Sequence, residues 1–179
     1  MNASMKPNNP FLIAGYHSPE YFCDRQQETQ ALLDALHNER NVTLTAPRRI
    51  GKTGLIRHTL FHIKKQAPEA VTLYMDIFST QSLSDFVRLF AHTVLGQLDS
   101  APQKALNRIG KFIKSCRPTL TFDELTGAPK VSVDVAPTQE ESTLKEIFDY
   151  LSSSEKNCYI AIDEFQQITA YPEKGVEAL

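Results

Sequence analysis

The sequence predicts an α/β fold in which a mostly parallel sheet lies between two layers of helices. Apolar, strand-like segments occur at residues 41–45, 70–77 and 158–162, and segments with helical periodicity separate them. A helix starting at Lys52 joins the first two strands, and such a βαβ unit favours parallel pairing. The length, 179 residues, allows one domain with a sizeable core.

The first strand runs into a loop with the composition of a phosphate-binding site. Val42 and Leu44 alternate with polar neighbours, and an amphipathic helix follows the loop. At such a junction backbone N–H groups surround a polyanion, a lysine reaches its outer phosphates and a hydroxyl group holds Mg²⁺. A chance Gly-Lys-Thr at a helix start is the alternative. The pattern predicts a site for a nucleoside triphosphate and magnesium, formed by Pro47, Arg48, Arg49, Ile50, Gly51, Lys52, Thr53 and Gly54.

Individual roles follow from the spacing within this loop. Lys52 is expected to hold the β- and γ-phosphates, and Thr53 to ligate the metal ion. Ala46 stands where the usual pattern begins with glycine, so an ordinary extended conformation is expected there. Gly51 is the glycine that the loop is expected to need most. The two loop arginines could support phosphates, but local bonds to carbonyls or acids are the favoured interpretation.

A second signal lies more than a hundred residues downstream. The segment 158–162 is almost entirely apolar, as expected for a strand buried on both faces, and it ends in Asp163 and Glu164. Asp163 is predicted to hold magnesium through its water shell, and Glu164 to take a proton from the water that attacks the γ-phosphate. The alternative is that both acids only cap the strand at the surface. Asp76, near the end of the second strand, could orient Glu164 or a water, although a solvent-facing position is favoured.

Three segments carry a family resemblance: residues 21–28, 47–53 and 162–166. Together they resemble the archaeal-type ATPase family, which comprises AAA-related P-loop ATPases near the STAND-type NTPases. The resemblance runs from about Pro19 to the last residue and implies a P-loop NTPase fold of the ASCE type. Residues 1–18 are then expected to form an N-terminal tail.

The upstream segment corresponds to a family motif that usually reads Phe-x-Gly-Arg-Glu. The resemblance places Arg25 near the nucleotide, and Tyr21 or Phe22 near the adenine base. Asp24 stands where glycine is common, and Gln26 where glutamate is common. These departures affect the nucleotide contacts of this segment rather than the two central motifs.

Two helix starts carry capping patterns. Asp24 and Gln27 are expected at the N-cap and N3 positions of one helix, and Thr138 with Glu141 forms a capping box for another. A third helix is predicted at roughly 82–98 from apolar residues spaced three and four apart.

The region before residue 138 contains a cationic segment and an insertion. A helix is expected at 103–117, with Lys104, Arg108, Lys111, Lys114 and Arg117 on one face. That face could contact a nucleic-acid backbone or an acidic partner, but a solvated helix face is favoured. Two alternating stretches within about 118–137 flank a Gly- and Pro-containing turn, which predicts an inserted β-hairpin.

Composition describes an ordinary soluble protein, with 41% apolar residues, a net charge of −2 and a pI of about 6.2. The sequence shows no secretory core and no stretch long enough to span a bilayer, so a cytoplasmic protein without a membrane partner is expected. The three cysteines have no metal-ligand spacing, and reduced thiols are the default. A protein partner and self-association stay open.

Only a short connector follows Phe165, whereas the resemblance implies a further strand with a sensor residue, another strand and a helical lid. The expectation is a chain truncated after its second motif, incomplete at the C-terminus. The first functional hypothesis is an ATP hydrolase. The alternative is a nucleotide-gated switch with slow or no hydrolysis. A GTPase is disfavoured because the sequence has no Asn-Lys-x-Asp motif.

Overall fold

The structure of the chain is a computed structural model. It describes residues 15–22, 24–98, 114–122, 129–135 and 138–175. Within it the chain divides into two compact units, residues 1–70 and residues 71–179.

The first unit is helical. A short 3-10 helix at Pro19–Tyr21 precedes helix α1, Gln26–His37, and helix α2 spans Lys52–Gln66. The two α-helices contact each other. Each buries apolar residues spaced along one face: Leu32 and Leu33 in α1, and Leu55 and Ile63 in α2.

The prediction of a strand at 41–45 is wrong, because the structure shows no strand there. Residues 40–47 have no regular secondary structure, and the side chain of Val42 is 43% exposed. An alternating pattern becomes a strand only where a second strand supplies ladder hydrogen bonds, and the described residues supply none to this segment. The βαβ unit expected through Lys52 is therefore not formed. The helix it required does begin at that residue.

The second unit contains the parallel pair. Strand β1, Val71–Asp76, pairs in parallel with the last strand in the chain, Cys158–Asp163. The register places Val71 opposite Cys158, and Asp76 opposite Asp163. The last strand is only half-buried along most of its length, so burial on both faces is not observed. In a sheet of two strands each strand is an edge strand, so the last strand has fewer neighbours to bury it than a central strand would have.

Two helices cover the core of this unit: α3, Leu83–Leu98, and α4, Glu140–Ser152. The bounds of α3 agree with the helix predicted at 82–98. One cluster of buried side chains forms the core of this unit. It combines the apolar faces of α3 and α4 with the inward residues of β1, and includes Leu73, Met75, Phe86, Val87, Phe90, Val94, Leu95 and Ile147. The unit is therefore α/β with a parallel strand pair; the three-layer arrangement stays a prediction.

The expected insertion is present as an antiparallel pair. Strand β2, Cys116–Phe122, pairs with β3, Pro129–Val135, and the parallel strand at Cys158–Asp163 is accordingly β4. Cys116 and Arg117 were expected in a helix at 103–117 and instead begin β2. Pro118 explains the difference, because proline disfavours a helical conformation at the residue before it. Residues 103–113 of that expected helix lie outside the described residues.

Both capping patterns are wrong by one residue. The N-cap of α1 is Arg25 rather than Asp24, whose φ is +64°. The N-cap of α4 is Gln139 rather than Thr138, whose φ is +68°. In neither helix does the N-cap side chain bond to the first turn. Asp24 and Thr138 instead adopt a left-handed conformation just before their helices. Asp tolerates this conformation better than most residues do.

Candidate functional site

The loop before α2 changes direction through left-handed residues. Gly51 is the N-cap of α2 and has φ +78°, and Arg49 has φ +66°. The expectation that the loop needs this glycine most stays a prediction; the left-handed conformation observed at Gly51 costs a glycine little and an L-residue considerably more. The turn aims the chain into the helix, whose first turn contains no acidic residue. Helix geometry leaves N–H donors at such a terminus, where they and the helix dipole attract anions.

Lys52 reaches back over this loop. Its Nζ donates to the carbonyl oxygen of Ala46 at 2.7 Å and lies 3.3 Å from that of Pro47. The ammonium thereby links the start of α2 to the beginning of the loop at Ala46 and Pro47. A lysine ammonium has three donors, so bonds to two carbonyls are compatible with a further bond to a phosphate oxygen. Thr53 occupies the second position of α2.

The upstream segment contacts the loop and the helix. The guanidinium of Arg25 donates to the carbonyl oxygen of Ile50, directly before Gly51. The ring of Phe22 lies against Gly54, where an added Cβ would stand 3.2 Å from its Cε2 atom. Arg25 and Phe22 are therefore packed on the loop and the helix that carry the lysine. Their predicted contacts with a nucleotide stay predictions.

Replacing Gly51 by alanine should lower the free energy of unfolding by about 1–2 kcal/mol, the cost of a left-handed conformation for an L-residue. An added Cβ would meet nothing within 4 Å, so the loss would come from backbone strain rather than a clash. Gly96 in α3 is the matched control, because an added Cβ there is equally unobstructed. Gly96→Ala should stabilise by up to about 1 kcal/mol through helix propensity. Urea denaturation followed by circular dichroism measures both, and equal effects of the two variants would contradict the strain.

The carboxylate of Asp163 is fixed at the end of β4. It is 5% exposed, and its Oδ2 accepts a hydrogen bond of 2.9 Å from the hydroxyl of Tyr74 in the neighbouring strand. Its Oδ1 accepts a hydrogen bond of 3.0 Å from the backbone N–H of Glu164. A buried carboxylate with its orientation set by two donors is more than a surface cap. This position agrees with the expectation that burying the acid serves a purpose.

Glu164 differs from its neighbour in conformation and exposure. Its φ is +56°, its side chain is half-buried, and its carboxylate accepts a hydrogen bond from the side-chain amide of Gln166. Asp76, opposite Asp163 in the register, is exposed and accepts a hydrogen bond of 2.9 Å from the N–H of Phe78. Asp76 thus takes the solvent-facing position that was favoured for it.

An aromatic and histidine cluster packs on α2 one turn beyond Gly54. The ring of His58 stacks on Phe22 with centroids 4.3 Å apart, and Tyr16 meets His58 edge-on at 5.7 Å. Burial, and secondarily the charge of Glu20, raises the pKa of Tyr16 to about 12. Burial lowers the pKa of His58, and the neighbouring His62 lowers it further. A protonated tyrosine hydroxyl and a neutral imidazole are therefore favoured here at neutral pH.

Sequence reasoning missed several of these residues. Tyr74 and Gln166 hold the two acids at the end of β4, yet nothing in the local pattern of either marks that task. The His58 and His62 pair did carry a signal, because residues four apart on a helix share a face. The predicted groups fall into both units: Arg25 and residues 47–54 in the first, Asp163 and Glu164 in the second.

A glycine and lysine loop at a helix start, and acids at the end of a parallel strand, are features typical of P-loop nucleotide-binding domains. A family model described as "AAA ATPase domain" matches residues 21–179. The chain belongs to the AAA ATPase domain family. This membership supports ATP binding and a P-loop α/β fold, and confirms the resemblance at the level of AAA-type P-loop ATPases. No curated protein and no solved structure matches the chain.

None of the helices that the structure describes is long and apolar enough to cross a membrane.

Proposed function

We propose that this domain binds ATP together with magnesium and hydrolyses it to ADP, releasing the γ-phosphate as inorganic phosphate. The observation that carries the proposal is the loop before α2, where a left-handed Gly51 leads into a helix start without acids and the ammonium of Lys52 lies on the loop carbonyls. A helix N-terminus with an adjacent lysine suits a triphosphate because both are positive and both offer N–H donors. Within the AAA family, residues 21–28 and 162–166 support the narrower archaeal-type group near the STAND-type NTPases.

The proposal gives each phosphate and metal contact to a particular side chain. Lys52 and the N–H groups at the start of α2 bind the phosphates, and the loop from Pro47 to Gly54 surrounds them. The hydroxyl of Thr53 and the carboxylate of Asp163 suit Mg²⁺, which prefers oxygen ligands. An Mg²⁺ ion held by these two side chains would supply positive charge that offsets the negative charge developing on the phosphate. Tyr74 supports this role by holding the Asp163 carboxylate in a single orientation.

Glu164 is the proposed general base. Its side chain is half-buried and therefore partly accessible to water, whereas Asp163 beside it is 5% exposed. Two adjacent carboxylates in different environments suit different tasks, one as a ligand and one as a base. Arg48 and Arg49 are both exposed. We retain the interpretation that their bonds are local to the loop.

A nucleotide-gated switch is the second candidate function. The observation that favours it is the hydrogen bond from the Gln166 amide to the Glu164 carboxylate, because a base that accepts this bond is less available to a water. In a switch, ATP occupancy would change the surface offered to a partner, and hydrolysis would be slow. The same residues would bind ATP in both cases.

The test is an equilibrium titration of the full chain with fluorescently labelled ATP and Mg²⁺, followed by competition. Unlabelled ATP should displace the label, GTP should displace it less well, and chelation of Mg²⁺ should weaken binding. Absence of saturable binding would refute both candidate functions. Phosphate release measured on the same protein, with and without DNA, then separates them, because sustained turnover supports the hydrolase and binding without turnover supports the switch.

A further inference from the structure

His58 and His62 lie one turn apart on α2 and point the same ring atom at each other. Their Nε2 atoms are 3.1 Å apart, and the ring centroids are 4.5 Å apart with the ring planes at 75°. Both side chains are only partly buried. The two ε nitrogens are therefore close enough to share one small ion, and both side chains are partly accessible to solvent.

Two facing imidazole nitrogens can share either a proton or a cation. A neutral imidazole has one donor and one acceptor nitrogen, so a proton shared here makes one ring the donor. Imidazole nitrogens bind Zn²⁺ at about 2.0–2.1 Å, which separates two such ligands by about 3.3 Å at a tetrahedral angle and by about 2.9 Å at a right angle. The observed separation of 3.1 Å falls between these values. The pair thus already has the spacing of a metal chelate.

The neighbours of His58 hold its ring in the way that supporting groups hold a metal-binding histidine. Its other nitrogen, Nδ1, lies 3.1 Å from the hydroxyl oxygen of Tyr16. With its proton on Nδ1, the ring would donate to this oxygen and leave Nε2 free to ligate, which is the arrangement that metal-binding histidines use. The ring plane is fixed as well, since Phe22 stacks on it at 4.3 Å and 25°.

We propose that His58 and His62 bind one divalent transition-metal ion, of the class that prefers imidazole such as Zn²⁺, through their Nε2 atoms. Tyr16 holds His58 in the ligating tautomer. Within the described ranges, no group of three or more His, Cys, Asp or Glu side chains is arranged for a metal, and only two protein ligands are proposed.

This site is separate from the phosphate loop and does not depend on the proposed function. His58 and His62 follow Lys52 by 6 and 10 residues, or about 9 and 15 Å along the helix axis. Magnesium prefers oxygen ligands, whereas these are nitrogen ligands, so the two ions would not compete for one site. A bound ion would brace the face of α2 on which Phe22 and Tyr16 pack.

Isothermal titration of the full chain with Zn²⁺, in nucleotide-free and chelator-free buffer, tests this inference. Wild type should bind one Zn²⁺ per chain, and His62→Gln and His58→Gln should each weaken that binding at least tenfold. Tyr16→Phe keeps both ligands but removes the supporting oxygen, and should weaken it by about 10- to 100-fold. His37→Gln, an exposed histidine on α1, is the control and should bind as wild type does.

The variants also distinguish this site from binding by cysteine thiols, which no histidine substitution would remove. Circular dichroism spectra compared across the four variants show whether α2 is intact. Zinc binding that survives both histidine substitutions unchanged would overturn the proposal, as would a wild-type protein that binds none. If the protein failed to bind ATP, the proposed function would be refuted, but the result of the zinc titration would still decide this proposal.

Discussion

The variant Lys52→Ala should bind ATP about 30- to 1000-fold more weakly than wild type. A hydrogen bond to a charged group contributes about 1.5–3 kcal/mol, and an ammonium placed between two phosphates makes one or two of them. A loss of about 2–4 kcal/mol corresponds to that range of dissociation constants. The N–H donors at the start of α2 would remain, so residual binding is expected. Titration with labelled ATP and Mg²⁺ measures the difference.

Lys65→Ala is the matched control, because it removes an exposed lysine from the other end of the same helix. It should change ATP affinity by less than about threefold, as expected for a distant, screened charge. Lys52 also bonds the carbonyl oxygens of Ala46 and Pro47, so its loss could loosen the loop. Comparing the melting temperatures of the two variants without nucleotide measures that effect separately. Equal ATP affinity for Lys52→Ala and wild type would eliminate the phosphate role.

The start of α2 could be predicted from sequence because its determinants are local. A glycine directly before a helical run allows the left-handed turn, and both the turn at Gly51 and the helix start at Lys52 are observed. The bounds of α3 and of β4 follow in the same way from the periodicity of their own apolar residues. The two helices are specified within their own segments, whereas β4 also needs the ladder hydrogen bonds that β1 supplies.

Features that depend on distant partners were harder to predict. The alternation of Val42 and Leu44 favours a strand, but strand formation needs hydrogen bonds from another segment. The same limit applies to Asp163, since its hydroxyl donor, Tyr74, is 89 positions away in the chain. Burial of β4 also depends on how many strands flank it, which its own residues do not encode.

Local chemistry can also mislead when two positions compete. Asp24 and Thr138 both have the composition of an N-cap, yet both adopt positive φ and the next residue becomes the cap. At Arg25 a long-range bond contributes, because its guanidinium reaches the Ile50 carbonyl in the loop. This bond is an interaction that capping propensity does not include. Capping propensity alone contributes only about 1 kcal/mol and is readily outweighed.

The variant Glu164→Gln should hydrolyse ATP about 10²- to 10⁴-fold more slowly than wild type, which is the usual contribution of a general base. Glutamine has nearly the same shape, so the left-handed backbone at this position and the packing around it should be kept. It cannot accept a proton from water at neutral pH. Affinity for ATP and Mg²⁺ should stay within about threefold, because the phosphate and metal contacts lie on other residues. Phosphate release and labelled-ATP titration measure the two quantities.

Glu155→Gln is the control for this variant, since Glu155 is also a glutamate with positive φ, +54°, and is exposed in the turn before β4. It should leave turnover and binding unchanged. Turnover retained in Glu164→Gln would show that the base is a different group. If wild type binds ATP tightly and releases phosphate no faster than Glu164→Gln, the carboxylate held by Gln166 is not acting as a base, and the switch becomes the better account of this domain.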